Sequence, residues 1–552
     1  MTETSTAIAS DPAGAETATN RETQIRRIAF WLLIVLPALA GAGIAFFVST
    51  PDRFELLADD AYYYLKVAHN IATGSGSTFN GIDRTNGYHP LWMAVCVAVT
   101  FVARTTAGAA TLLLLIDALI WGFMVRQIQL IGRTLERETL VLIAALPLAG
   151  WSILLVFNGM ETALAMLVVL YLIRRTLETG ALSGRAVPDV PTALKLGVVL
   201  LILVLSRLDA VLVAGAYGVV ACWVWSRAGS WLKSAVALAA PTAVGLAVYL
   251  AFNSWWFGSA TPVSGRAKSL GDAFPNWAGV RDHLAAPLVS GVSLRLGAVT
   301  LVLAVAAIVV RGRRPAHRGL KELSVVVLAG ELGLLAYLTA RTTYPVWSWY
   351  QYLLPIILFL ALVQLLPYVL ERADGLPNAI GQRGPVLLLA GVLLVGVVGV
   401  VARNEARAPS YLAPSVVAAR TVDRLEDPDI PMIMGDRAGA YGWATSRPIV
   451  QIEGLVGPSS WLDALQNGTT ADFIADRHVG LYTRHIPADP ADDDAQTVDF
   501  HGRRCTQYAE PTMSEGPQFK VTVCPQDLIY RRDMGDEWGV IKTWRLRPGA
   551  IE

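Results

Sequence analysis

The chain has 552 residues, 54% of them hydrophobic and only 16% charged, and its 45 basic side chains nearly balance 44 acidic ones. That balance creates no field for a polyelectrolyte, and no nucleic-acid-binding motif is present, so DNA and RNA are not expected partners. Soluble proteins reach a similar apolar fraction without gathering it into long runs. Here apolar runs of about 17–25 residues recur, the length of a membrane-spanning helix, and the chain reads as a polytopic α-helical membrane protein.

Residues 1–27 begin polar and rich in Thr, Ala and Ser, and read as a disordered cytoplasmic tail; no small-residue cleavage site follows the first apolar run. Arg21, Arg26 and Arg27 precede a first span at 28–48, which puts the N-terminus in the cytoplasm and the loop 49–88 outside. Within that loop, 56–72 has apolar residues at helical spacing and is stopped by Gly74 and Gly76, so an interfacial amphipathic helix is expected. The segment 90–102 is short and opens with Pro90. If it is re-entrant or interfacial, Arg133 and Arg137 fall in the cytoplasm, as the positive-inside rule prefers.

Further spans follow at 109–131, 138–157, 162–178, 194–207, 210–226, 232–253, 288–310, 322–340, 352–370 and 385–402, about eleven in all. Arg174 and Arg175, Arg185 and Lys195, Arg227 and Lys233, Arg311, Arg313, Arg314 and Arg318, and Arg372 and Arg383 then lie inside, with Arg104 left outside. Residues 28–403 thus form a transmembrane domain. From 404 to 552 the apolar runs shorten to strand length (430–434, 449–452, 520–524) and alternate with helical stretches at 415–425 and 460–465, which predicts a small extracytoplasmic α/β domain. Cys505 and Cys524 are its only cysteines, and an extracytoplasmic location would permit them to pair or leave them free.

Polar chemistry gathers at the outer ends of these spans. Asp59 and Asp60 are adjacent on a helix, so their side chains point about 100° apart, and one can face a cavity while the other supports it or shares a metal. Alternatively both are solvated carboxylates. Tyr63 and His89 lie in the same loop, Glu161 in a turn, and Arg207 and Asp209 flank Leu208 in another, where a local ion pair would also satisfy them. Lys268 and Arg266 could bind a phosphate as point charge and fork, while Arg341, Trp347, Trp349, Tyr350 and Tyr352 fit either an interfacial belt or a sugar-stacking platform. Asp117 and Glu331 fall inside spans, where acids suggest a transport path or a hydrogen bond between helices. No Walker A loop, Rossmann glycine fingerprint, HExxH or GxSxG in a suitable setting occurs, so a cytoplasmic sugar nucleotide is not the expected donor.

The run Asp59-Asp-Ala-Tyr-Tyr-Tyr64 in the first outer loop, followed by Asn86-Gly-Tyr-His-Pro-Leu-Trp92, resembles the GT-C superfamily of polytopic glycosyltransferases. Gly159-Met-Glu-Thr-Ala163, Ser206-Arg-Leu-Asp209, the segment from Phe257 to Lys268, Tyr350-Gln-Tyr-Leu-Leu-Pro355, Gly435-Asp-Arg-Ala-Gly-Ala-Tyr-Gly442 and Glu453-Gly-Leu455 extend the likeness along nearly the whole chain. The resemblance implies inverting transfer of a sugar from a polyprenyl-phosphate donor to a glycan, glycolipid or protein on the outer face of the cytoplasmic membrane. It implies Asp59 as the base with Asp60 in support, and Lys268, Arg207 and Arg341 against the donor phosphate. Tyr63, His89, Glu161, Asp209, Trp349 and Tyr350 would contact substrate. Some relatives use a divalent ion (Mg or Mn) and others use none; if one is used here, Asp60 and Glu161 are the conceivable ligands. Tyr350 stands where many relatives carry an Arg before the Tyr. The competing expectations are a lipid or solute transporter and a non-catalytic scaffold.

Overall fold

The computed structural model describes residues 12–49, 52–103, 105–271, 274–285, 296–311, 319–370, 376–405, 410–489, 494–512 and 516–552. The first residues of the tail, 1–11, with Arg104, Arg313, Arg314, Arg318 and Arg372, lie outside the described residues.

The N-terminal part is a helix bundle. Its elements are α1 (Pro12–Gly41), α2 (Asp59–Ala72), α3 (Pro90–Val102), α4 (Thr106–Thr134), α5 (Glu138–Ala144), α6 (Leu146–Val156), α7 (Thr162–Thr179), α8 (Val190–Ser206) and α9 (Val211–Trp225). Then come α10 (Leu232–Phe257), the short α11 (Val263–Ala267), α12 (Trp277–Ala285), α13 (Leu296–Arg311), α14 (Leu320–Arg341), α15 (Leu354–Leu370) and α16 (Leu376–Glu405). Among the described residues, seven helices are long and apolar enough to cross a membrane, or up to eight if α5 and α6, bent by 49°, act as one span. The protein is a multi-pass membrane protein; among the described residues the expected count of about eleven is not reached, because α8 and α13 are short and α7 carries Arg174, Arg175 and Glu178. Helix α1 also begins at Pro12, so the expected disordered stretch 1–27 is helical over its latter part.

The C-terminal part is α/β. Helix α17 (Leu412–Leu425) leads into β1 (Met432–Met434), α18 (Ala438–Ala444), β2 (Ile449–Gln451), α19 (Ser459–Asn467), α20 (Thr470–Asp476) and β3 (Leu481–Ile486). Strands β4 (Gln496–Phe500), β5 (Arg503–Glu510), β6 (Phe519–Val523), β7 (Leu528–Asp533) and β8 (Val540–Arg545) complete it. One sheet has the order β2-β1-β3-β8-β7, parallel at β1 and antiparallel at β8, and a second has the order β4-β5-β6. Cys505 and Cys524 are disulfide-bonded across β5 and the end of β6.

Helix α2 joins the two parts. Its residues Asp59, Tyr63 and Lys66 lie at spacings of four and three, one face of a helix. Asp59 accepts the N–H groups of Gly439 (3.0 Å) and Ala440 (2.8 Å), and the Ala438 N–H donates to the Tyr63 hydroxyl (3.2 Å). Two turns on, the Lys66 ammonium donates to the Thr445 carbonyl (2.6 Å) at the far end of α18. The two helices therefore run side by side in the same direction, with a carboxylate at the N-terminal end of α18 and an ammonium at its C-terminal end, both matching its dipole. Close approach needs glycine: a Cβ on Gly439 would stand 2.2 Å from the Asp59 carbonyl oxygen, and one on Gly442 2.5 Å from the Phe79 ring. Further contacts tie the parts together, including Arg477 bidentate to Asp83 (3.0 and 2.8 Å) and Arg266 on Asp463 (2.9 Å).

Candidate active site

The other face of α2, with Asp60, Tyr64 and Val67, lines a cavity whose remaining walls come from the loop before α3, the turns before α7 and after α8, the α11 segment, residues 349–350 and residues 455–456. Of the residues singled out from sequence, it brings together Asp60, Tyr63, His89, Glu161, Arg207, Lys268, Trp349 and Tyr350. Three others are elsewhere. Asp59 is not a wall residue; its carboxylate caps α18. Asp209 stands behind Arg207. Arg341 is exposed at the end of α14 and absent from the lining, so its expected role on the donor phosphate has no support here. This reverses the expected order within the acidic pair: Asp60, not Asp59, presents its carboxylate to the cavity.

Local chemistry explains how each wall is held. The turn carrying Glu161 is fixed from three sides: the Gly159 N–H donates to Asp117 (3.2 Å), Trp92 Nε1 donates to the Gly159 carbonyl (3.1 Å), and the Ala58 N–H donates to the Asn158 carbonyl (2.9 Å). Gly159 has φ +76°, and a Cβ there would press on Leu57, Ala61 and Leu113 at about 3 Å, so only glycine fits. Asn86 anchors the segment that leads to Lys268, donating to Asn253, Ser259 and Thr261 and accepting from the Val263 N–H (3.0 Å). Gly87 lets the backbone abut the C-terminal part, since a Cβ would sit 1.9 Å from the Leu455 carbonyl oxygen.

Behind the cavity is a buried ionic network. Arg207 donates through Nε to both oxygens of Asp209 (3.1 and 3.0 Å) and through Nη1 to Glu161 (2.7 Å). Tyr64 donates to the second oxygen of Glu161 (3.0 Å), and Tyr352 donates to Asp209 (3.2 Å). His89 Nδ1 accepts the Leu208 N–H (3.0 Å), which leaves its proton on Nε2, 3.4 Å from Glu161. One guanidinium thus faces two carboxylates, and removing any member would strand a buried charge.

Lys268 is different. Its ammonium donates to the Tyr350 hydroxyl (2.8 Å), a neutral partner, and its charge stays available to the cavity. Burial alone would lower its pKa, but Tyr350 and the nearby Asp60 carboxylate outweigh that and hold it above the ordinary lysine value. Asp60 is pushed up to about 6, chiefly by desolvation, with Lys268 pulling it down and Asp436 and Glu161 pushing it up. Asp59 is pushed up to about 7 by desolvation, against the lowering effect of the Ala440 N–H. Both side chains are only half-buried by their own surfaces, but they stand in the cleft between the two parts, where little water competes.

A divalent ion held by Asp60 and Glu161 does not fit this arrangement. Both Glu161 oxygens are taken by Arg207, His89 and Tyr64, and among the described residues no group of three His, Cys, Asp or Glu side chains is placed to hold a metal. The two intramembrane acids are also accounted for. Asp117 holds Gly159, and Glu331 pairs with His283 (2.5 Å) in a fully buried contact that ties α12 to α14.

Sequence reasoning missed Tyr64, although it lies four residues beyond Asp60 on the same helix face, and it gave no separate role to Asp436, the second residue of the Gly-rich motif that α18 grows from.

No protein-family model matches the chain, and no curated protein matches it in sequence. Solved structures do. The chain is similar to ArnT from Cupriavidus metallidurans, solved with undecaprenyl phosphate bound, at 11% identity and TM-score 0.52, covering 92% of this chain and 97% of that one. It also matches the oligosaccharyltransferase AglB from Archaeoglobus fulgidus, solved with an inhibitory peptide and a dolichol-phosphate, at 11% identity and TM-score 0.48, over 84% of this chain and 69% of that one. The chain shares the fold of the ArnT structure.

Proposed function

We propose that a protein with this fold and this cavity is an inverting glycosyltransferase, moving a sugar from a polyprenyl-phosphate donor to an envelope glycan, glycolipid or protein outside the cytoplasmic membrane. In this reading the N-terminus is cytoplasmic and the α/β domain, 404–552, is extracytoplasmic. The observation that carries it is the pairing of one carboxylate and one uncommitted ammonium, Asp60 and Lys268, in a single cavity of a multi-pass membrane protein.

The chemistry then divides between them. Asp60 takes the proton of the acceptor hydroxyl as its oxygen attacks the anomeric carbon from the face opposite the phosphate. A pKa of about 6 leaves it mostly ionised at neutral pH yet basic enough to accept a proton. The bond from the anomeric carbon to the phosphate oxygen breaks, and its electrons leave with polyprenyl phosphate. Lys268 faces the charge that develops there. Arg207, its charge already opposed by Glu161 and Asp209, orders the wall and contributes little net positive field. Tyr350 and Trp349 supply a face for the sugar ring. No step requires a metal ion.

The likeness to ArnT, a structure with undecaprenyl phosphate bound, supports a lipid-phosphate donor. The transporter reading loses its motive, because Asp117 and Glu331 are engaged in packing contacts. The test is release of polyprenyl phosphate by purified protein from a panel of polyprenyl-phosphate-linked mannose, arabinose, glucose and galactose. Turnover of at least one donor, lost in Asp60→Asn, is expected; an undiminished rate in Asp60→Asn would remove the assignment.

A further inference from the structure

Beyond the cavity wall, on the C-terminal side of Asp60, lies a cluster that the donor chemistry does not use. Arg437 adopts φ +66°, a left-handed conformation costly for any residue but glycine, and such strain persists where the surroundings enforce it. Its guanidinium lies over two aromatic rings, Tyr411 at 4.8 Å and Trp538 at 5.1 Å, whose own centroids are 5.1 Å apart. Its Nε is 3.3 Å from Asp436 Oδ2, and among the described residues neither Nη atom makes a hydrogen bond. The indole N–H of Trp538 likewise has no partner among the described residues. The Asp436 and Arg437 side chains are 36% and 29% exposed, so a ligand can reach them.

The cluster is fixed with respect to Asp60. Arg437 directly precedes Ala438, whose N–H is held by Tyr63, and the next two N–H groups are held by Asp59. Any movement of residues 436–437 away from the start of α2 must break that clamp.

We propose that Asp436, Arg437, Tyr411 and Trp538 form an acceptor subsite for a neutral, polyhydroxylated glycan; this rests on the glycosyl-transfer reading above. A carboxylate beside a planar guanidinium fork can accept from and donate to neighbouring sugar hydroxyls, and aromatic rings cover the apolar face of a sugar. The same surroundings disfavour an anionic acceptor. Asp59, Asp60 and Asp436 lie about the approach, and the Arg437 guanidinium is already engaged by Asp436. The subsite would carry the acceptor's ring while its hydroxyl reaches Asp60.

The test is direct binding to the full chain in lipid nanodiscs, using manno- and arabino-hexasaccharides as neutral probes and hexagalacturonate as the anionic one. At least one neutral probe should bind, and Arg437→Ala or Trp538→Ala should weaken it about tenfold, as loss of one charged hydrogen bond or one stacking surface would. Arg437→Lys, which keeps the charge but not the fork, should weaken it less, and serves if the alanine variants fail to fold. Equal binding in all variants, or tighter binding of hexagalacturonate, overturns the subsite. Donor turnover separates the two claims. Turnover without neutral-glycan binding sinks the subsite alone, and binding without turnover of any donor sinks the glycosyl-transfer reading alone.

Discussion

Asp59 and Asp60 share a side chain, a helix and a peptide bond, yet they serve different parts of the molecule. Asp59 meets two backbone N–H groups of α18 and joins two domains. Asp60, a third of a turn away, meets open space, a lysine 208 positions later and no backbone donor. The lesson is that a carboxylate's role is set by what occupies its face of the helix, and that an acidic pair in a motif need not be a chemical pair.

The comparison can be broken by exchanging the two. Asp60→Asn should reduce transfer by about 10²–10⁴-fold, the usual contribution of a general base, with the melting temperature held or raised. Lys268→Met should cost about 10²–10³-fold in turnover and abolish the thermal shift produced by polyprenyl phosphate. Asp59→Ala should behave as a lost cap, costing about 1 kcal/mol of stability and no more than about tenfold in rate, read by denaturant unfolding beside the transfer assay. Should Asp59→Ala prove more damaging to chemistry than Asp60→Asn, the assignment of the two faces is wrong. Arg341→Ala should leave both rate and lipid affinity within about twofold, since its side chain is outside the cavity.

A pH series sharpens the same contrast. Transfer should rise through about pH 6 as Asp60 loses its proton, and the position of that limb should move in Lys268→Met. For stability the sign is opposite. Both aspartates have folded-state pKa values raised above the ordinary 3.8, so the folded form holds their protons longer than the unfolded one. Their contribution is present below about pH 4 and is lost as pH rises through 6 and 7. Asp60→Asn should therefore raise the melting temperature near pH 8 relative to wild type and change it little near pH 4.

Much of this was legible in the sequence. The apolar spacing of 56–72 foretold α2, Gly74 its end, and Pro90 the start of α3 with its bounds intact. Cavity residues stood out because charged and aromatic side chains at helix ends are conspicuous against an apolar chain. The face of each aspartate was not legible. Asp59 is satisfied by the N–H groups of Gly439 and Ala440, and backbone donors leave no mark on side-chain identity; the only trace is the Gly439–Gly442 spacing that permits contact. Nor could the sequence separate Lys268 from Arg207 and Arg341, because charge alone does not reveal that two carboxylates already oppose Arg207. The span count suffered from a different cause: apolar content marks a segment as buried in something, and short helices such as α8 satisfy that inside the bundle as well as in lipid.

The clamp between α2 and α18 bears on how chains of this fold can be recombined. Because Gly439 accommodates the Asp59 backbone and Lys66 reaches Thr445, the α/β unit is matched to one particular helix of the membrane half. A chimera that imports a foreign C-terminal half without its native α2 would misalign Asp436 and Arg437 against Asp60, so the breakpoint that preserves function lies upstream of residue 59.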